Sequence, residues 1–166
     1  MKIIELTNDH PHGYNAFFTS GLHAYRSCFR ISPDDEAREP FPTSGTADSF
    51  TLGLLTDAGT LAGVVSFQRD GQTREKLRHK GLLFRMYVSA EHGGRGFGRQ
   101  LLDEIIRRVR EQTDVEQINL TVMASNESAK RLYDKAGFRS FAREPNAIKD
   151  DNAYYDEEQM VLFLNQ

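Results

Sequence analysis

A cluster of glycines separates two apolar segments of different period, and that junction constrains the chain more than any other stretch. Leu82 to Val88 is a short apolar run of strand length, whereas Leu101, Leu102, Ile105, Ile106 and Val109 recur at helical spacing. Gly93, Gly94, Arg95, Gly96, Phe97, Gly98 and Arg99 lie between them. Strand, glycine loop and helix together suit the grip of an anionic ligand. Glycine takes φ > 0 and lets the backbone come close, and the first helical turn leaves N–H groups unpaired at the positive end of the dipole. Taken alone, the same loop also reads as an ordinary glycine-rich turn into a helix.

Spacing excludes two familiar phosphate loops. The NTPase type needs a Lys-Ser or Lys-Thr pair after its last glycine, and Gly98 is followed by Arg99 and Gln100. The dinucleotide fingerprint G-x-G-x-x-G fails as well. Started at Gly94 it puts Arg99 at the third glycine, and started at Gly96 it puts Leu101 there. A pyrophosphate cradle of another type remains.

A second block follows. Ile118 to Val122 reads as a strand, and Asn126 to Phe138 as a helix with clear punctuation: Asn126 as N-cap, an inward stripe of Ala129, Leu132, Tyr133 and Ala136, and Gly137 just past the end. Together the two blocks resemble the GNAT superfamily of N-acetyltransferases, which carries an R/Q-x-x-G-x-G/A loop after its fourth strand. The next helix of that family opens on an asparagine and bears a tyrosine, in a stretch like N-x-x-A-x-x-L-Y-x-K-x-G-F. The resemblance covers nearly the whole chain in element order and is specific over residues 82 to 138. Aligning Gly96 and Gly98 with the two small loop residues puts Gly93 where the family usually has Arg or Gln. Arg95 and Arg99 stand near enough to supply charge, and backbone N–H groups should carry most of the binding.

The rest of the composition fits one small enzyme domain, residues 1–166. The chain is 39% hydrophobic, enough to bury a core without staples. Its net charge of −3 implies neither nucleic acid nor an anionic membrane as partner. Cys28 has no partner for an intramolecular disulfide, and the histidines at 10, 12, 23, 79 and 92 show no metal spacing, so no metal is expected; His10 and His12 read as a loop. The start lacks a long apolar segment and no stretch is long enough to span a membrane, so a cytoplasmic location is expected.

Along the chain, Lys2 to Leu6 reads as a first strand. A helical region from about Gly13 to Phe29 follows, with Phe17, Leu22, Tyr25 and Phe29 inward. Ser32 caps a second helix with Pro33 at N1. Phe50 to Leu55 and Leu61 to Arg69 form a hairpin about Asp57-Ala58-Gly59. A strand near Ser140 to Arg143, a polar loop from Pro145 to Asn152 and a closing strand from about Tyr155 to Leu164 complete the order. The fold class is α/β of the α+β type: a mixed, mainly antiparallel sheet flanked by helices. The resemblance adds that the central strands splay.

The resemblance also implies the chemistry, in which acetyl-CoA is co-substrate and an amine is acceptor, with room for a homodimer. Backbone groups around Met86, Tyr87 and Val88 would meet the pantetheine arm, the loop from Gly93 to Arg99 the pyrophosphate. The Tyr133 phenol matches the family's usual proton donor to the departing thiolate, although core tyrosine is its reading on position alone. Asn126 is first an N-cap, and its reach to cofactor is an implication of the family.

The general base is not legible. Relatives often place a glutamate on the central strand, and Gly81 to Phe84 has none. Glu144, Asp156, Glu157 and His79 are candidates acting through water, each with a plainer role as a solvated or structural residue. Cys28 lacks an activating neighbour. Asp34, Asp35, Glu36 and Glu39 could attract a cationic amine, though complementing the helix dipole explains the first three better. The basic run Arg74, Lys76, Arg78, His79 and Lys80 could similarly favour an anionic group, though Glu75 interrupts it and a solvated loop is its plainer reading. Beside the transferase stand an acyl-CoA-binding regulatory or inactive member of the fold and, weakened by the spacing, a nucleotide-binding module.

Overall fold

Of the two segments that flank the glycine junction, the first is the middle strand of one sheet and the second is a helix packed against that sheet. The structure is a computed structural model and describes residues 1–71 and 73–165. Its elements are β1 (Lys2–Leu6), α1 (Tyr14–Ala24), α2 (Pro33–Glu36), β2 (Ser49–Leu55), β3 (Leu61–Arg69), β4 (Lys80–Val88), α3 (Phe97–Gln112), β5 (Gln117–Met123), α4 (Glu127–Ala136), β6 (Arg139–Asp150) and β7 (Ala153–Phe163). The strands run β1-β2-β3-β4-β5-β7-β6, and β4 with β5 is the parallel junction in an otherwise antiparallel sheet.

Period-2 alternation sends side chains to two separate cores. Phe50, Leu52, Leu54, Val65 and Phe67 face α3, whose buried stripe is Leu101, Leu102, Ile105, Ile106 and Val109. Each of these fully buried aliphatics stabilises the layer by roughly 1.5–3 kcal/mol. Leu6, Val64 and Tyr87 point the other way, onto Tyr14, Phe18 and Leu22 of α1.

Two expectations need correction. The first helix stops at Ala24, followed by a 3-10 turn over Arg26–Cys28. Its buried stripe is Tyr14, Phe18, Gly21 and Leu22, starting at the first helical residue, while Tyr25 is exposed because it is the C-cap, with non-helical backbone, and no longer follows that stripe. The polar stretch from Pro145 to Asn152 is largely strand, β6 running to Asp150 before a short turn into β7. As the edge strand it is exposed on both faces, and its register shifts between Glu144 and Ile148 let Pro145 sit where no ladder hydrogen bond is required. An edge strand of this kind has no alternation to read.

Candidate active site

The parallel ladder is short. Lys80, Gly81 and Leu82 pair with Gln117, Ile118 and Asn119, and beyond Leu82 the two strands have no register partners. The cause lies in β4, where Ser66 pairs with Phe84 but Val64 pairs with Tyr87, so Arg85 and Met86 together oppose Val65. Arg85 sits at φ 52°, and such a bulge bends its strand away from the next. The result is a fork whose β4 edge offers unpaired backbone groups.

Beyond the fork, Ser89 Oγ and His92 Nδ1 lie 2.8 Å apart, and Gly93 donates to the Ala90 carbonyl, which closes the turn before the loop. Gly94 (φ 70°) and Gly96 (φ 81°) are both left-handed, and a Cβ at either would meet nothing within 4 Å. Among the described residues, the backbone N–H groups from Gly94 to Arg99 find no acceptor; the first to do so is Gln100, bonded to Gly96 O. That row of free donors opens α3, which extends to Gln112. Free amides, open space and a helix dipole fit an anion of pyrophosphate size. At Gly98 a Cβ would meet Leu132 at 3.3 Å and Met86 at 3.5 Å, so the loop packs directly on α4 and β4.

A cavity of about 320 Å³ fills the fork. Met86, Leu120, Val122, Asn126, Leu132 and Tyr133 line it together with Phe18, Cys28, Phe29, Arg30 and Arg85. Asn126 caps α4, its Oδ1 accepting from Ala129 N at 3.2 Å. Tyr133 is 6% exposed, edge-on to Phe138 at 5.8 Å. Among the described residues its hydroxyl has no hydrogen-bond partner, and burial pushes its pKa well above the ordinary 10.0. A protonated phenol without a protein acceptor can give its proton to a ligand.

Arg85 itself is clamped against α1 and α2. It donates to Glu36 Oε1 at 3.0 Å, to Glu39 Oε2 at 2.5 Å and to the Tyr14 hydroxyl at 3.3 Å. Its guanidinium also lies over the Phe18 ring at 5.3 Å. Burial pushes the Glu36 carboxyl up while Arg85 pulls it down, and burial raises Tyr14 to about 12. On β7, Glu157 is 2% exposed with Oε1 3.0 Å from Arg30 Nε; burial raises its carboxyl too, against the pull of Arg30.

The sequence matches the Acetyltransferase (GNAT) family over residues 17–138. The chain belongs to that family. A mycothiol acetyltransferase from Propionibacterium freudenreichii is 38% identical over 89 residues, 52% of this chain and 27% of that protein. N-alpha-acetyltransferase 40 from Saccharomyces cerevisiae is 30% identical over 132 residues, 69% of this chain and 46% of that protein. The chain therefore spans less than half the length of either relative. Among solved structures, yncA of Salmonella typhimurium, determined with its cofactor acetyl-CoA, superposes with a TM-score of 0.78 at 21% identity, covering 100% of this chain and 95% of that one. That likeness is one of fold.

Within this GNAT chain, the sequence-derived site residues fall into three places. Met86, Asn126 and Tyr133 meet in the cavity, and Gly93 to Gly98 form the loop beside it, Gly98 packing on Met86 and Leu132. Tyr87 turns its ring to the opposite face, against Phe17 and Phe29, which leaves only its backbone on the fork edge. Val88 packs toward α3 near Gly98. Of the two arginines, Arg95 lies over Phe97 at 5.1 Å, whereas Arg99 is tied to Asp103 Oδ1 at 2.7 Å and to Lys135 O at 2.9 Å. Among the candidate bases, Asp156 is occupied by the Asn146 amide and Arg143, which lower its pKa in that order, and Glu144 is exposed on β6. The Arg85–Glu36–Tyr14 clamp was missed; an arginine inside the apolar run of β4 was its signal. No helix among the described residues is long and apolar enough to cross a membrane.

Proposed function

We propose that this chain moves an acetyl group from acetyl-CoA to a primary amine of a small molecule or a protein, with Tyr133 as the acid that protonates the departing thiolate. The observation that carries the reading is convergence: an unpaired β4 edge and a solitary buried phenol meet one cavity, and the loop with its free amides packs through Gly98 on Met86 and Leu132 of that cavity's lining. When bound, acetyl-CoA supplies the activated thioester.

The chain's own groups supply the rest. The amides from Gly94 to Arg99 and the dipole of α3 take the negative charge of the pyrophosphate. The backbone of Met86, Tyr87 and Val88 lies along the open strand edge, where an extended pantetheine arm can pair as a strand would. Apolar walls keep the amine desolvated, which favours its neutral, attacking form. Tyr133, kept protonated by burial, donates its proton into the same cavity.

The test is thiol release from acetyl-CoA with a panel of amines, peptides and aminoglycosides. Release that depends on an amine is expected. Acetyl-CoA binding without amine-dependent release across the panel would instead make this an acyl-CoA-binding member of the family.

A further inference from the structure

At the acceptor end the cavity shares Arg30 with two neighbouring hollows, one of about 440 Å³ and one of about 120 Å³. Four arginines border this group of spaces, and they differ in one respect. Arg26 spends Nε and NH2 on Asp150, each at 2.7 Å, and Arg38 donates to Asp35 at 2.5 Å. Arg85 is consumed by Tyr14, Glu36 and Glu39. Arg30 donates no hydrogen bond to any described residue, although its side chain is 64% exposed at the shared mouth.

Glu157 explains why it stays there. The carboxylate is 2% exposed, its Oε1 accepts no hydrogen bond, and Arg30 Nε lies 3.0 Å away. Charge holds the guanidinium over the buried carboxylate without using up its donors. An arginine has five N–H groups in a planar fork that fits a carboxylate with two parallel bonds. Phe29 and Ile31 flank it with apolar surface that would cover the carbon skeleton of a small ligand.

We propose that Arg30 is a specificity determinant that docks a carboxylate carried by the acceptor, so that this chain acetylates small amines bearing a carboxylate. The proposal rests on the cavity being the transfer site. The cavity, about 320 Å³ and shared with the acetyl end of the cofactor, leaves room for a small acceptor with its amine in the fork and its carboxylate at the mouth. Glu157 is a positioning residue in this scheme.

The test uses the full chain, acetyl-CoA and matched acceptors: α-, β- and γ-amino acids, each beside its carboxamide. In the wild type, KM for the preferred carboxylate is expected about ten- to a hundredfold below that of its amide, the range for hydrogen bonds to a charged group. Arg30→Ala should erase that difference by raising KM for the carboxylate, with kcat and the amide's KM nearly unchanged. Arg30→Lys should recover part of the preference, and Arg26→Ala all of it. Equal KM values for the two wild-type acceptors, or an equal rise for both in Arg30→Ala, would overturn the proposal. So would acetyl-CoA binding with no carboxylate-bearing amine acetylated, an outcome that leaves the transferase reading standing. Absence of acetyl-CoA binding would bring down the transferase reading itself, and the proposal with it.

Discussion

Replacing Tyr133 by Phe removes one oxygen and keeps the ring, so its edge-on packing against Phe138 at 5.8 Å survives. The hydroxyl has no partner among the described residues, so no protein hydrogen bond is lost. The hydroxyl opens into the cavity and is not among the buried unpaired polar atoms, so only a fraction of such an atom's cost of about 1–3 kcal/mol applies, and the variant should be unchanged or more stable by up to about 1 kcal/mol. For a chain of this size that is a melting-temperature rise of between zero and about 4 °C. Turnover should move the other way, falling about ten- to several-hundredfold, at and below the usual contribution of a positioned general acid. Because burial holds the phenol above its ordinary 10.0, the wild-type acid should stay protonated across the neutral range. Thermal melting and single-turnover acetyl transfer on one preparation decide the matter. A variant that is less stable yet fully active would refute the acid role and make the hydroxyl a structural tie.

Further outcomes can be checked independently. Gly96→Val puts a branched side chain at φ 81°, so it should abolish acetyl-CoA binding while the far-UV circular dichroism of the chain persists; retained affinity in calorimetry would show that the loop is not the grip. Glu36→Ala leaves the buried Arg85 with Glu39 as its remaining carboxylate and should cost about 3 kcal/mol in urea denaturation, with a loss below about 1 kcal/mol contradicting the clamp. Glu104 is lowered to about 2 from 4.5 by hydrogen bonds from Arg107 and Arg108. Its depressed folded pKa means that its stabilisation is complete above 4.5 and fades as pH falls toward 2. Glu104→Gln should therefore flatten the melting-temperature profile in that window, and an unchanged profile would place the acid sensitivity elsewhere.

Much of the local geometry of the candidate site was legible because its residues obey local rules. Left-handed glycines between a strand and a helix, an asparagine at an N-cap and a tyrosine on an inward stripe carry their meaning in neighbours of close sequence number. The proposed acceptor side was not legible, for the opposite reason. Arg85 meets Glu36 and Glu39 only once α2 folds over the β4 bulge, and Arg30 meets Glu157 from the far end of the chain. The acidic run from Asp34 to Glu36 illustrates both cases. Asp35 forms the capping box with Ser32, as a local rule would have it, while Glu36 turns inward to Arg85. Strand β6 escaped for a third reason, since an edge strand exposed on both faces has no hydrophobic period.

The most direct measurement is the thermal shift of the purified chain with acetyl-CoA, set beside ATP and NAD. Only acetyl-CoA offers a pantetheine arm for the open edge of β4 as well as a pyrophosphate for the amides from Gly94 to Arg99. A ligand that binds only the native state at a hundred times its Kd adds about 2.7 kcal/mol. At 2–4 °C per kcal/mol this is a rise of about 5–11 °C, expected with acetyl-CoA and nearly absent with the two nucleotides. An equal shift with ATP, or none with acetyl-CoA, would contradict the assignment of the loop and fork to the acetyl donor.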